Sequence, residues 1–460
     1  MVKLLSSVFF SLLATSLLAQ SRIISGPMLG PVELRDAKIW LEVSPEVKSV
    51  VLQYYIVKNL DKPEARIKPV TRTVEYKGEL GKEFNPVTFS VGGLDYNSVY
   101  HYIISIDGKR TGAEGEFTTK DLWQWRKPVP DFSFLTGSCA YFNEPQFDRP
   151  GKPYGGDSTI FETMAKEKSA FMLWLGDAWY TREVDYLSEW GLWYRASHDR
   201  AMPIMKNFLK AMPQFGIWDD HDYGPNNFGT SYTLKETSKK IFNSYFCNPS
   251  AGENNQGIYT MTSWGDADIF MTDGRWWRSA DEMKDSVDGK PNTEKVMLGK
   301  QQMKWLKNAL LYSSATFKII AVGSQVLNPV SPYEAWRRFP AEYNELMSFL
   351  LENKINGVIF LSGDRHHSEI IKVNRPGSYP LYDITVSPLT SGTHKFGGPE
   401  KDNPYRILGI DEKQNYGRFS FTGKRNERKL TVEFFGIKGE KLGEWSVNEN
   451  ELKTPKTNNQ

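Results

Sequence analysis

The chain has 460 residues, about three times the ~150 of a typical domain, so two or three domains are expected and no disulfide staple is needed to build a core. Lys and Arg number 57 against 55 Asp and Glu, and the net charge of +2 excludes a nucleic-acid binder working through a broad basic face. A hydrophobic content of 40% with 24% charged residues excludes a disordered chain, and only two cysteines, Cys139 and Cys247, exclude a disulfide scaffold or an all-cysteine zinc site.

Met1-Val2-Lys3 and the apolar run from Leu4 to Ala19 read as a signal peptide over residues 1–19, with Gln20 and Ser21 just past a plausible cleavage point. No other stretch reaches the ~18 apolar residues of a membrane-spanning helix, so an exported protein that is not integral to a membrane is expected. Residues 20–120 carry short strand patterns at Ala37–Val43, Val50–Val57, Thr71–Tyr76, Val87–Val91, Tyr100–Ile106 and Gly115–Thr118, separated by turn residues. This is the footprint of a fibronectin- or immunoglobulin-like β-sandwich. Residues 121–130 form a linker in which Pro128 and Pro130 block regular pairing.

From 131 to 450 apolar strands alternate with helical patterns, which indicates an α/β domain. Strands are predicted at Phe132–Leu135, Phe171–Leu175, Gln214–Trp218, Asp268–Thr272, Phe317–Val322 and Gly357–Leu361. Helices are predicted at Thr159–Lys168, Leu187–Ser197, Leu234–Phe246, Lys300–Leu311 and Ala341–Leu350, the fourth from the spacing of Met303, Leu306 and Leu310. Strands dominate again after Ile370, and residues 451–460 read as a loose polar tail.

Four of the predicted strands run into metal-type ligands. The runs are Phe132-Ser-Phe-Leu-Thr-Gly-Ser-Cys139, Phe171-Met-Leu-Trp-Leu-Gly-Asp177-Ala-Trp-Tyr180, Phe215-Gly-Ile-Trp-Asp219-Asp220-His221-Asp222 and Val358-Ile-Phe-Leu-Ser-Gly-Asp364-Arg365-His366-His367. Functional groups of α/β sheets gather beyond the carboxyl ends of strands, and Gly137, Gly176 and Gly363 are suited to tight turns just before the ligands. A single Gly-Asp is ordinary turn chemistry, but four such ends together are hard to explain that way. Asp364 and His366, two apart, are expected on one side of an extended segment with His367 on the other. For Cys139, a disulfide with Cys247 is the competing account to metal ligation.

In order, Gly-Ser-Cys, Gly-Asp-x-x-Tyr, Trp-Asp-Asp-His-Asp and Gly-Asp-x-His resemble the PhoD-like alkaline phosphatases of the calcineurin-like metallophosphoesterase superfamily. Ser25-Gly-Pro-Met-Leu-Gly30 and Asp273-x-Arg275-x-x-Arg278 support the resemblance, which extends over nearly all of the chain after residue 19. It implies a β-sandwich followed by a four-layer α/β/β/α domain, and a ferric ion with calcium bridged by the substrate phosphate. Cys139, Asp177, Tyr180 and His366 match the iron ligands, Asp177 takes the bridging position, and Asp220, Asn227 and Asp364 match the remaining metal sites. Asp219 competes with Asp220, and Asn226 with Asn227, for their places.

The implied chemistry is hydrolysis of a phosphate ester by a metal-activated hydroxide, for which ferric iron and calcium suit the oxygen, nitrogen and thiolate donors. His221 is a candidate for protonating the leaving oxygen, and Arg275, Arg278 and Arg365 are candidate phosphate clamps, exposed salt bridges being the plainer account of each arginine. Trp179, Tyr223, Trp276 and Trp277 lie close enough in sequence to the ligands to shape a substrate rim, although core packing explains them equally well. The near alternative is a phosphodiesterase acting on phospholipid head groups, nucleotides or wall polymers; a further one is a non-catalytic surface binding protein. No Gly-x-Ser-x-Gly elbow, Walker phosphate loop or His-Glu-x-x-His helix is present.

Overall fold

The computed structural model describes residues 22–64 and 66–455; the expected signal peptide, residues 1–19, and the end of the tail lie outside the described residues. The chain forms a mixed α/β fold with several sheets. At the N-terminal end, Ile23–Val32, Asp36–Val43 and Asn85–Gly92 make an antiparallel three-stranded sheet. Arg72–Glu75, Val50–Asn59, Ser98–Ile106 and Lys109–Thr118 make a four-stranded one. Alternating side chains from both, among them Leu29, Ile39, Leu41, Leu52, Tyr102 and Ile104, share a separate hydrophobic core. The strand Ile23–Val32 escaped the sequence reading because Gly26, Pro27 and Gly30 look like breakers. Register shifts accommodate them, and at Gly30 a Cβ would stand 2.6 Å from the Cβ of Cys247, so a side chain there would push the Cys247 segment away.

Two larger sheets follow. One orders Gln214–Ile217, Met172–Leu175, Phe132–Gly137, Asn415–Thr422, Lys429–Gly436 and Lys441–Asn448; the first three strands are mutually parallel, and Asn415–Thr422 joins antiparallel beside Phe132–Gly137. The other orders Thr260–Trp264, Ala267–Met271, Phe317–Val322, Val358–Ser362, Leu381–Thr385, Ser368–Val373 and Arg406–Ile410, with a parallel centre. Both contribute to one core, in which Phe421 of the first meets Phe317 of the second at 5.1 Å between ring centroids.

Four of the predicted helices appear close to their expected bounds, at Glu189–Ala201, Lys235–Tyr245, Gly299–Tyr312 and Pro340–Glu352. The expected helix at Thr159–Lys168 shrinks to Ile160–Met164, and Met205–Ala211 is an unanticipated helix. The first two helices and Met205–Ala211 pack on the N-terminal three-stranded sheet. At that seam, buried Glu42 accepts hydrogen bonds from Ser197 Oγ at 2.9 Å and Tyr245 Oη at 2.9 Å, and Trp40 Nε1 donates to Ser244 O at 2.7 Å. The tail begins later than expected. Leu452 is fully buried at the end of a short 3₁₀ turn, and its carbonyl accepts the Gly357 N–H at 2.9 Å, so apolar burial holds the chain in place past residue 451.

Candidate metal centre

Three ligand loops leave the parallel strands of the six-stranded sheet, and the fourth leaves Val358–Ser362 of the seven-stranded one. Their side chains converge. The Cys139 thiol donates to Asp177 Oδ2 at 3.5 Å, and Tyr180 Oη lies 3.4 Å from His366 Nε2. Asp177, Asp220 and His221 offer donor atoms that all lie within 4.8 Å of one another, and so do Asp219, Asp220 and Asp364. Asp220 belongs to both groups and therefore links them. Asp219 Oδ1 accepts from Arg275 Nε at 2.6 Å, and Arg275 also reaches Asp220 Oδ1 at 3.7 Å, so Asp219 and Asp220 remain alternatives. Asn227 approaches through its backbone, donating N–H to Asp220 Oδ2 at 2.9 Å, while its side-chain oxygen accepts from Asn226 at 2.7 Å. Both cysteines are free thiols, which removes the disulfide account; Cys247 is buried against Thr88.

The backbone under the ligands is strained. Cys139 (φ 61°), Asp177 (53°), Asn227 (61°), Asp364 (65°) and His366 (56°) all occupy the left-handed region that side chains with a Cβ seldom adopt. Such strain, about 1 kcal/mol or more per residue, persists only where the surroundings impose it, and it collects at functional sites. It also corrects one expectation: the segment from Asp364 to His367 is not extended, so the direction of His366 comes from left-handed turns and not from strand alternation. His367 does diverge, with Nε2 3.4 Å from buried Glu369. Of the three glycines before the ligands only Gly176 has a positive φ, 94°; Gly137 and Gly363 are needed for space, since a Cβ would come within 2.7 Å of Leu389 and 2.8 Å of Ser138 respectively.

The electrostatics call for a cation. Burial and then the neighbouring Asp220 push the Asp177 carboxyl well above the usual range, and burial, Glu334 and Asp220 raise Asp364 to about 6. Burial raises the Cys139 thiol to about 12 and the Tyr180 phenol well above its normal value. At Asp220 burial is outweighed by His221, Arg275 and the Asn227 N–H, and the carboxyl falls to about 2. Asp219 Oδ2, Asp220 Oδ1 and His221 Nδ1 are buried and have no hydrogen-bond partner among the described residues. Buried acceptors without partners are costly unless a cation takes them up, so this donor set fits a bound metal ion. His366 is prepared for the same role: Nδ1 sits 2.6 Å from Gly392 O, which fixes the proton on Nδ1 and leaves Nε2 with its lone pair facing Tyr180.

The arginines stand behind the ligands. Arg275 is fully buried, binding Asp219 and making a two-pronged pair with Glu334 at 2.9 and 2.8 Å; Arg278 reaches the same glutamate at 2.8 Å. Arg365 is paired with buried Glu400 at 2.8 and 2.6 Å. These are buried ion pairs and not the exposed ones first considered. Trp179, Tyr223 and Trp276 are buried and pack in the core. The opening next to the ligands is formed by other residues: a cleft of about 290 Å³ lined by Tyr141, Tyr154, Tyr180, His221, Arg149 and Lys152 among others. The His221 ring stacks on Tyr180 at 4.2 Å, and burial holds its imidazole below the ordinary range, hence neutral near pH 7.

The sequence reading passed over three supporting groups. Both oxygens of the buried Asp222 carboxylate accept backbone N–H groups, from Asp177 and Asp219 at Oδ2 and from Ala178 and Trp179 at Oδ1, so one side chain ties two ligand loops together. The Asp219-x-x-Asp222 spacing of a capping box was the available signal. Ser387 donates to Cys139 Sγ at 3.3 Å and accepts the His366 N–H at 2.9 Å, and Gly392 orients His366; neither stands near a motif in the sequence.

The family model described as PhoD-like phosphatase matches residues 134–434, a span that includes all four ligand loops. The chain belongs to the PhoD-like phosphatase family. Alkaline phosphatase D of Bacillus subtilis (strain 168) is 25% identical over 320 residues, 60% of this chain and 52% of that protein, so the chain spans about half the length of this curated relative. A solved structure titled "Structure of PhoD" superposes with a TM-score of 0.71 at 19% identity, covering 94% of this chain and 90% of that one, which establishes a shared fold. Among the described residues no helix is long and apolar enough to cross a membrane.

Proposed function

We propose that this chain is a metal-dependent phosphatase that hydrolyses phosphate esters. The observation that carries the reading is the convergence of a thiol, a phenol, an imidazole and buried carboxylates, from four strand-end loops, on one cluster bordering an open cleft. Cys139, Asp177, Tyr180 and His366 would hold a ferric ion, and Asp220, Asn227 and Asp364, with Asp177 shared, would hold calcium. Metal ions held there supply an activated water and neutralise charge on the phosphate. The protein groups do the rest. His221, neutral and stacked on Tyr180 at the cleft wall, offers a ring N–H as a hydrogen-bond donor to the substrate phosphate. Arg275 fixes Asp219 beside Asp220, and Arg365 anchors the turn between Asp364 and His366 through Glu400, so both act by positioning. Tyr141 and Tyr154 offer ring faces to the ester substituent.

In this reading residues 20–120 form a fibronectin/immunoglobulin-like β-sandwich, 121–130 the linker and 131–450 a four-layer α/β/β/α catalytic domain, and the protein is exported. The test compares initial rates on a chromogenic phosphate monoester and its bis-ester with Asp177→Asn as the blank. Turnover of either substrate that collapses at least about a hundredfold in the variant supports the proposal. Rates equal to the blank on both would replace it with the binding-protein alternative, and a bis-ester preference would select the phosphodiesterase form.

A further inference from the structure

A second cleft, of about 870 Å³, lies apart from the metal centre. It lies at the other end of the seven-stranded sheet. Asp266 and Ala315, which precede the strands Ala267–Met271 and Phe317–Val322, line it, whereas Asp364 follows the carboxyl end of a parallel neighbour. Its volume falls within the ~300–1,000 Å³ of ligand clefts.

Its aromatic walls are unusual. Trp123 comes from the linker, and Trp305 and Tyr312 from the helix Gly299–Tyr312. Tyr312 is 89% exposed, and Trp125, one residue beyond the lining Gln124, is 98% exposed; these are the two most exposed large apolar side chains among the described residues. Trp125 also sits at φ 63°, where a bulky side chain is a genuine outlier, in a turn closed by the Arg126 and Lys127 N–H groups on Trp123 O. Exposed aromatic side chains on and beside the wall of a cleft suit a binding surface.

Helical spacing brings Gln301, Trp305, Asn308 and Tyr312 onto one face, opposite the buried Met303, Leu306 and Leu310. Amides therefore alternate with rings. Gln301 Nε2 donates to Glu253 O and Asn308 Nδ2 to Lys304 O, leaving both amide oxygens as acceptors. A sugar ring presents an apolar C–H face that stacks on an aromatic ring, and a rim of hydroxyls that both donate and accept. A proline-rich strand would also stack on the rings but has few N–H donors for the acceptors here. We propose that this groove binds the chain of a neutral oligosaccharide. The proposal is independent of the chemistry at the metal centre.

The full chain is titrated by calorimetry and tryptophan fluorescence with maltohexaose, cellohexaose, xylohexaose and N-acetylchitohexaose, and with a proline-rich decapeptide. At least one hexasaccharide binds, and Trp123→Ala and Tyr312→Ala each weaken that binding by about tenfold or more. Trp190→Ala, on an exposed aromatic that does not line the groove, leaves it unchanged. Tyr312 is so exposed that its replacement leaves the fold intact, which circular dichroism verifies, so the test survives misfolding of the Trp123 variant. No binding by any hexasaccharide up to about 10 mM, affinity unaltered in Tyr312→Ala, or binding of the decapeptide alone would overturn the proposal.

Discussion

Asp222→Asn is the most informative single substitution in the ligand loops. The carboxylate accepts N–H groups from Asp177 and Asp219 at one oxygen and from Ala178 and Trp179 at the other. Asparagine preserves the shape but replaces one acceptor by an NH₂ donor, so in either rotamer two of the four N–H groups face a donor. Each buried donor left without a partner costs about 1–3 kcal/mol, which gives a loss of about 2–5 kcal/mol after partial relaxation. Because the orphaned groups belong to the loops that carry Asp177 and Asp219, a displacement of about 1 Å is enough to reduce turnover by about a hundredfold. Urea denaturation gives the first quantity, and kcat on the preferred chromogenic ester gives the second. Unchanged stability and kcat would refute the claim that this carboxylate organises the two loops.

Three further outcomes follow from the structure. Burial raises the Glu42 carboxyl to about 7, against the hydrogen bonds from Tyr245 and Ser197 that partly lower it. A carboxyl raised in the fold contributes stability below its unfolded pKa of ~4.5 and loses it as the pH rises through 7, so wild type loses up to about 3 kcal/mol relative to Glu42→Gln between pH 4 and 8. Parallel denaturation curves across that range would contradict it. At Gly323 a Cβ would meet the Asp219 carboxylate at 2.5 Å, so Gly323→Ala displaces the Asp219–Arg275 pair and costs about 1–3 kcal/mol, with a fall in activity that a rate assay measures. Glu400→Gln leaves Arg365 buried with its ion pair broken, and a loss of about 3–5 kcal/mol is expected in urea denaturation, against a negligible one if the pair were solvent-screened.

The candidate ligands other than Asn227 were legible because they stand at or just past the end of an apolar run, where hydrophobic patterning and strand geometry together dictate a turn. Cys139, Asp177, Tyr180, Asp220, Asp364 and His366 are brought into one neighbourhood as the motif order implied. What escaped was what has no local signature. Ser387 and Gly392 reach Cys139 and His366 only through tertiary folding, and the left-handed backbone at His366 is imposed by its surroundings against the preference of the residue. The arginines were read as substrate groups because sequence does not report burial; Glu334 and Glu400, which neutralise them, belong to no motif. Likewise Trp179, Tyr223 and Trp276 turned inward while Tyr141 and Tyr154, in a stretch with no clear periodicity, formed the rim.

The position of Asn415–Thr422 has a consequence for how the chain comes into being. This strand pairs directly with Phe132–Gly137, the strand that leads into Cys139, and separates it from the two strands that follow in the sheet. During synthesis the loops bearing Cys139, Asp177 and Asp220 leave the ribosome long before their sheet can close, and until then Phe132–Gly137 presents an unpaired apolar edge. A nascent or truncated chain that stops short of residue 415 holds every ligand yet has no finished platform beneath them. On the proposed reading, activity is confined to chains translated past residue 415, and shorter ones carry the exposed edge that chaperones and proteases act on.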